Sequence, residues 1–235
     1  MTNSMKPVYL IGGRGARRGQ PDAAFLAALR ETGKPSPAVG YIGTANDDDA
    51  RFLGFMKSEM AQAGAGSINH AVLTPRRADV KKAQEILAAS DIIFVGGGDV
   101  ERGMEVLAEK NMCDFILQLY RQGKPFFGVS AGSIMMAKEW VRWRDPDDDA
   151  TAEIFPCLGV APVLCDTHAE DDDWQEIKAL LALEKDGTEG YGITSGSAIK
   201  VFPDAKVAAL GGPVAHYVRR AGKVTQLPDL IPAES

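Results

Sequence analysis

Along the first two thirds of the chain, short apolar runs alternate with longer stretches whose apolar positions recur every three or four residues. Val8 to Ile11 is a strand candidate that stops at Gly12-Gly13, and Asp22 to Glu31 carries Phe25, Leu26 and Leu29 at helical spacing. Val39 to Ile42 reads as a second buried strand, followed by a helix from about Arg51 to Ala63 and a weaker strand at Ile68 to Leu73. A helix from about Ala78 to Ala89 leads into the strand Ile92 to Val95. The next helix is read around Cys113 to Arg121, closed by Gly123, and the next strand at Pro125 to Val129. Parallel neighbours need crossover connections, which helices supply. This βαβα order therefore implies an α/β fold, a mostly parallel sheet with helices on both faces.

The pattern changes after a strand near Val163 to Asp166 and a helix from about Trp174 to Leu183. Short β-type runs follow at Gly190 to Ile193, Ala198 to Phe202, Lys206 to Leu210, Val214 to Arg219 and Lys223 to Leu227, separated by Gly-Gly, Pro-Asp and Ala-Gly. They predict C-terminal hairpins that extend or flank the sheet. No Pro/Ser-rich linker or internal repeat divides the chain, so residues 1–235 are read as one domain, with 1–6 and 229–235 as loose ends.

Composition removes several classes of function. The 235 residues are 45% hydrophobic and 25% charged, which is ordinary globular composition. The net charge of −6 has the wrong sign for a protein held mainly by nucleic-acid phosphates or anionic lipid. Cys113, Cys157 and Cys165 are odd in number and show no C-x-x-C spacing, which argues against a disulfide framework or a structural zinc site. With neither a signal-like start nor a run of about 18 apolar residues, the expected location is the cytoplasm, without membrane or nucleic-acid partners.

The strongest chemical signal is Gly128-Val129-Ser130-Ala131-Gly132, placed after one predicted strand and before a predicted helix at Ser133 to Glu139. This is the G-x-S-x-G nucleophile elbow in the strand, turn and helix context it requires. Its bland alternative is a small-residue turn that lets a helix pack closely. A serine hydroxyl needs a base, and only His70, His168 and His216 are available. His70 and His216 lie inside strand-like runs and read as structural. His168 stands where a strand meets a loop, in Asp166-Thr167-His168, and is the best base. The orienting carboxylate stays open, because acids crowd both Asp145 to Asp149 and Glu170 to Asp173. A metal site at Asp147-Asp148-Asp149 is disfavoured by the lack of the Gly and spaced ligands of a calcium loop.

Val95-Gly96-Gly97-Gly98-Asp99 ends another strand in three glycines. It offers Gly98 as one oxyanion donor beside the amide of Ala131, with Gly97 and Asp99 as candidate substrate-binding positions. A phosphate loop is a weak reading there, since no Gly-Lys-Ser/Thr follows. Gly12-Gly13-Arg14-Gly15 fails as a dinucleotide loop because Arg18 occupies the place of the third glycine.

Taken with Tyr9 to Gly13, Tyr41 to Ala45 and Asp166-Thr167-His168, these stretches resemble the serine peptidase family of peptidase E (aspartyl dipeptidase) and cyanophycinase. The resemblance implies a fold like class I glutamine amidotransferases, with Ser130 as nucleophile, His168 as base and Gly98 and Ala131 as oxyanion donors. In the dipeptidase branch the acid follows the elbow helix, which points to Asp145. In the cyanophycinase branch it comes from a late Gly-rich strand, and here Gly190 to Ser195 holds no carboxylate.

The resulting expectation is a cofactor-free and metal-free serine peptidase that hydrolyses small peptides or amide conjugates through a Ser-His-Asp triad and an acyl-enzyme. The chain is also compatible with a homodimer. The alternative is a catalytically silent binding or regulatory module on the same fold. Ala169-Glu170-Asp171-Asp172-Asp173-Trp174, after the histidine, replaces the basic residues found in relatives, so an acidic substrate side chain is disfavoured.

Overall fold

A computed structural model describes residues 4–13 and 22–233. Five parallel strands, β1 (Val8–Ile11), β2 (Ala38–Ile42), β3 (Ser67–His70), β4 (Ile92–Val95) and β5 (Phe126–Val129), form most of a seven-stranded sheet. Two antiparallel strands, β10 (Ala198–Val201) and β11 (Val207–Leu210), complete it in the order β11-β10-β1-β5-β4-β2-β3. The period-two geometry of a strand divides the apolar runs between two cores. Val8, Leu10, Ile93 and Val95 face α3 (Val80–Ala89), α4 (Val100–Glu109), α5 (Cys113–Arg121) and α6 (Ala131–Met136). Tyr9, Ile11, Tyr41 and Phe94 face α1 (Ala23–Arg30) and α2 (Ala50–Gln62), with Phe94 stacked on Phe127 at 4.7 Å. Burial on both faces explains why these strands are continuous apolar runs.

The chain departs from expectation in four places. The helix after the elbow ends at Met136, and Glu139–Trp143 (β6) then pairs with Ala152–Pro156 (β7) as a separate hairpin. The late strands divide between two sheets. β10 and β11 extend the main one, whereas β8 (Leu164–Thr167), β9 (Glu189–Ile193), β12 (Val214–Arg220) and β13 (Lys223–Leu230) form a second, ordered β13-β12-β9-β8. In the second sheet β8 and β9 are parallel, and α7 (Gln175–Leu183) crosses between them, packed on Leu164, Ala215 and Tyr217. β13 runs on to Leu230, past the point where a loose end was expected, because Leu230 pairs with Val214. Helix α4, not foreseen, starts where Asp99 caps it by accepting the Arg102 amide at 2.8 Å. Among the described residues, no helix is long and apolar enough to cross a membrane.

The two sheets meet at the carboxyl ends of β1, β5 and β8. The Ser130 amide donates to the Ile11 carbonyl at 2.9 Å, and the His168 amide donates to Ile193 at 2.9 Å. Side chains that follow these strands converge on one edge, the usual place for a site in an open α/β sheet.

Candidate active site

Ser130 lies between β5 and α6 with φ 54° and ψ −130°. This left-handed conformation is strained for a residue with a Cβ and persists only when its surroundings fix it. The fixing contacts are backbone bonds. The Ser130 amide is held by Ile11, and its carbonyl accepts the Ser133 amide at 2.8 Å. Ser133, for which no motif suggests a role, is buried, and its hydroxyl accepts the Ile11 amide at 2.8 Å and donates to the Ile11 carbonyl at 3.0 Å. At Gly132 only glycine fits, since a Cβ there would stand 2.2 Å from the Val95 carbonyl oxygen. The elbow helix thus packs directly against the end of β4.

The glycine loop following β4 passes beside the elbow. Gly98 has φ +144°, and a Cβ on it would meet the Ala45 carbonyl oxygen at 1.9 Å, so side chains are excluded by both conformation and space. The Asn46 side-chain amide donates to the Gly97 carbonyl at 2.7 Å and to the Tyr41 hydroxyl at 2.9 Å. In a trans peptide the C=O and N–H point to opposite sides. With the Gly97 carbonyl turned to Asn46, the Gly98 N–H points the other way. Among the described residues, neither it nor the Ala131 N–H donates to another group.

His168 follows β8 with φ 43° and reaches the elbow, its Nε2 lying 2.7 Å from Ser130 Oγ. This brings together Ser130, His168, Gly97, Gly98, Asp99 and Ala131 around the elbow. Asp145 is the exception. It is exposed at the tip of the β6–β7 hairpin, its carboxylate accepts the Asp147 amide at 3.1 Å, and its own amide donates to Thr151. No hydrogen bond joins Asp145 to His168, because the hairpin closes on itself.

The acids that line the same depression as the histidine are Asp99, Glu101, Asp166, Asp172 and Glu176. Glu176 projects from α7, and its Oε2 accepts the Trp140 indole N–H at 2.9 Å. Burial pushes its carboxyl up, while the Trp140 bond and the nearby His168 charge pull it down. Asp166 is 2% exposed. Its Oδ1 accepts the Thr167 amide at 2.7 Å, and its Oδ2 has no hydrogen-bond partner. Burial, helped by the Glu176 and Asp172 charges, pushes its carboxyl up to about 7, against weaker opposing pulls from the Thr167 and Ile177 amides. The sequence places Asp166 two residues before the histidine, but its isolation depends on how α7 covers β8. The other two histidines are structural. His70 pairs with Asp48 at 2.8 Å and His216 with Glu189 at 3.0 Å.

Two depressions meet at Ser130 and Gly98. One, of about 160 Å³, is mainly apolar and includes Phe25, Phe52, Phe55, Met56 and Val129. The other, of about 370 Å³, contains His168 and is lined by five carboxylates. Among the described residues, no group of three His, Cys, Asp or Glu is arranged to hold a metal ion. What the arrangement can do chemically is present a hydroxyl, a base and two unspent amides to a carbonyl group.

Comparison with known proteins places these features in a family. A model described as Peptidase family S51 matches residues 10–207. Over 138 residues the chain is 30% identical to "Peptidase E" of Pasteurella multocida (strain Pm70), covering 56% of this chain and 54% of that protein. Over 136 residues it is 29% identical to "Peptidase E" of Streptomyces coelicolor, covering 54% of each. The match spans about half the length of these relatives. A crystal structure described as a peptidase from an acI-B1 Actinobacterium aligns over 100% of this chain and 97% of its own, with a TM-score of 0.75 and 18% identity, a likeness of fold.

Proposed function

The chain belongs to peptidase family S51, and from that premise we propose that it is a serine peptidase acting on small peptides or amide conjugates. The observation that carries the reading is the 2.7 Å contact between Ser130 Oγ and His168 Nε2, at a serine held in strained backbone. Ser130 Oγ attacks the substrate carbonyl and its proton passes to His168 Nε2. The Gly98 and Ala131 amides donate to the oxyanion, and the positive end of the elbow turn favours the same charge. His168 returns the proton to the leaving nitrogen, the C–N bond breaks, and an acyl-enzyme remains on Ser130. Water then attacks the ester and gives its proton to His168, which passes it to Ser130 Oγ as the Oγ–C bond breaks and the acid product is released.

In this reading Glu176 takes the place expected of Asp145. It lines the same depression as His168, and in this reading its charge stabilises the imidazolium formed during each proton transfer. One observation favours the silent-module alternative: no hydrogen bond fixes the second ring nitrogen of His168 among the described residues. Turnover separates the two readings. Ser130→Ala is expected to lower peptide hydrolysis by at least roughly a thousandfold while leaving the circular dichroism spectrum and melting temperature unchanged. Retained turnover in that variant would remove the serine mechanism.

A further inference from the structure

The depression on the His168 side of Ser130 is lined by Asp99, Glu101, Asp166, Asp172 and Glu176, and among the described residues no Lys or Arg lines it. The carboxylates come from the start of α4, from β8, from the β8–α7 connection and from α7, so the concentration is not one solvated run of acids. Several have local partners: Asp99 caps α4, Asp172 accepts the Trp174 amide at 3.0 Å, and Glu176 accepts the Trp140 indole. Asp166 is different. It is 98% buried, since only 2% of it is exposed, and one of its two carboxylate oxygens has no partner. A buried acceptor without a donor is costly and uncommon in a finished structure, and next to a reactive serine it is accounted for when a ligand brings the missing charge.

We propose that this depression is a subsite for a cationic side chain of the substrate, an ammonium or guanidinium carried on the leaving-group half of the scissile bond. The side of the bond follows from the chemistry. The residue that must protonate the leaving nitrogen is His168, which lines this depression and not the apolar one across Ser130. The leaving half therefore lies among the carboxylates and the acyl half toward Phe52 and Met56. Direct partners are available in Glu101 and the exposed Asp172, with the buried Asp166 carboxylate adding charge behind them, and the Trp140 ring in the same wall can face a cation. Burial and mutual repulsion raise both Asp166 and Glu176, the response of crowded carboxylates lacking a counter-ion, and a bound cation relieves both effects. The volume of about 370 Å³ lies within the range of small-ligand pockets.

The proposal uses the serine peptidase reading to assign the side of the bond, so its test must work without catalysis. Binding of lysinamide and norleucinamide to the Ser130→Ala variant is compared by calorimetry. The two share an α-amine and a similar chain and differ in the terminal ammonium. Lysinamide is expected to bind at least tenfold more tightly, and the added Glu101→Gln and Asp172→Asn substitutions are expected to remove most of that preference. Both replacements are isosteric and leave the Asp172 acceptor for Trp174 in place. In the wild-type enzyme, Phe-Lys is expected to exceed Phe-norleucine tenfold in kcat/KM, and Phe-Glu to fall below both. Equal binding of the two amides, or a preference that survives both substitutions, would overturn the subsite. A charge preference for Lys-Phe rather than Phe-Lys would place the cation on the wrong half and overturn the assignment. A preference in binding with no wild-type turnover would leave the subsite standing and count against the peptidase reading.

Discussion

Asn46 shows how a side chain outside the reacting group can govern it. Its donation to the Gly97 carbonyl sets the orientation of the Gly97–Gly98 peptide, and with it the Gly98 N–H. Asn46→Ala is expected to lower kcat roughly ten- to a hundredfold with KM within about twofold, less than the 10²–10³ for outright loss of an oxyanion donor. Steady-state kinetics decides this, and Asn46→Asp should fare no better because a carboxylate cannot donate. The carboxylates give a second test. Asp145→Asn is expected to leave kcat/KM within about twofold, whereas Glu176→Gln lowers kcat at least tenfold by removing charge beside the imidazolium. Equal effects of the two changes would contradict the assignment. Asp166 makes a prediction about stability. Its folded carboxyl titrates near 7 rather than 3.8, so between those values the folded state holds a proton that the unfolded state releases. Stability from this group is therefore greatest below about pH 4 and falls as pH rises to 7. At about 1.4 kcal/mol per pH unit, the cost reaches a few kcal/mol. Asp166→Asn cannot ionise, so the denaturation midpoint of the variant relative to wild type should rise between pH 4 and pH 8. A flat difference would show that Asp166 is ionised in the folded protein.

At the scale of elements, the nucleophile depends on the join between β1 and α6. Ser133 bonds both backbone groups of Ile11, and Ile11 in turn holds the Ser130 amide. Ser133→Ala leaves a buried amide without an acceptor, with an expected loss of about 1–3 kcal/mol in urea denaturation and a drop in kcat as the elbow relaxes. Four of the five parallel strands were legible in the sequence because strands buried on both faces are apolar runs, as in Ile92-Ile93-Phe94-Val95, whereas β3, Ser67-Ile68-Asn69-His70, lies at the sheet edge with Ser67 and Asn69 exposed and gave a weaker signal. The β6–β7 hairpin was not. Glu139-Trp140-Val141-Arg142-Trp143 buries only Val141 fully, and its first residues continue the helical run of the elbow. Helix α4 was hidden by Gly103 and four charged residues, although its core positions Val100, Met104 and Leu107 have helical spacing. The division of the last strands between two sheets depends on pairing partners far away in sequence, such as Val8 with Val201, which local patterns do not encode.

Across the whole molecule, the acid-rich stretches of the chain have separate fates. Asp47, Asp48 and Asp49 are occupied structurally: Asp47 with Arg102, Asp48 with His70 and Thr74, and Asp49 as the cap of α2. Asp145 to Asp149 lie in the exposed hairpin loop. What remains at the site is the group around His168, drawn from α4, β8 and α7. The nucleophile, base and glycine loop were legible as motifs because each is a contiguous stretch at a strand end. Glu176 was not, because only the packing of α7 on the second sheet brings it to the depression that holds His168. In the proposed reaction Ser130 is a nucleophile activated by His168, and the decisive measurement is fluorophosphonate labelling of the intact protein followed by peptide mass mapping. One equivalent on Ser130 is expected, with the rate falling at least a hundredfold in His168→Ala. No labelling, or labelling at Ser130 that His168→Ala leaves unchanged, would contradict it.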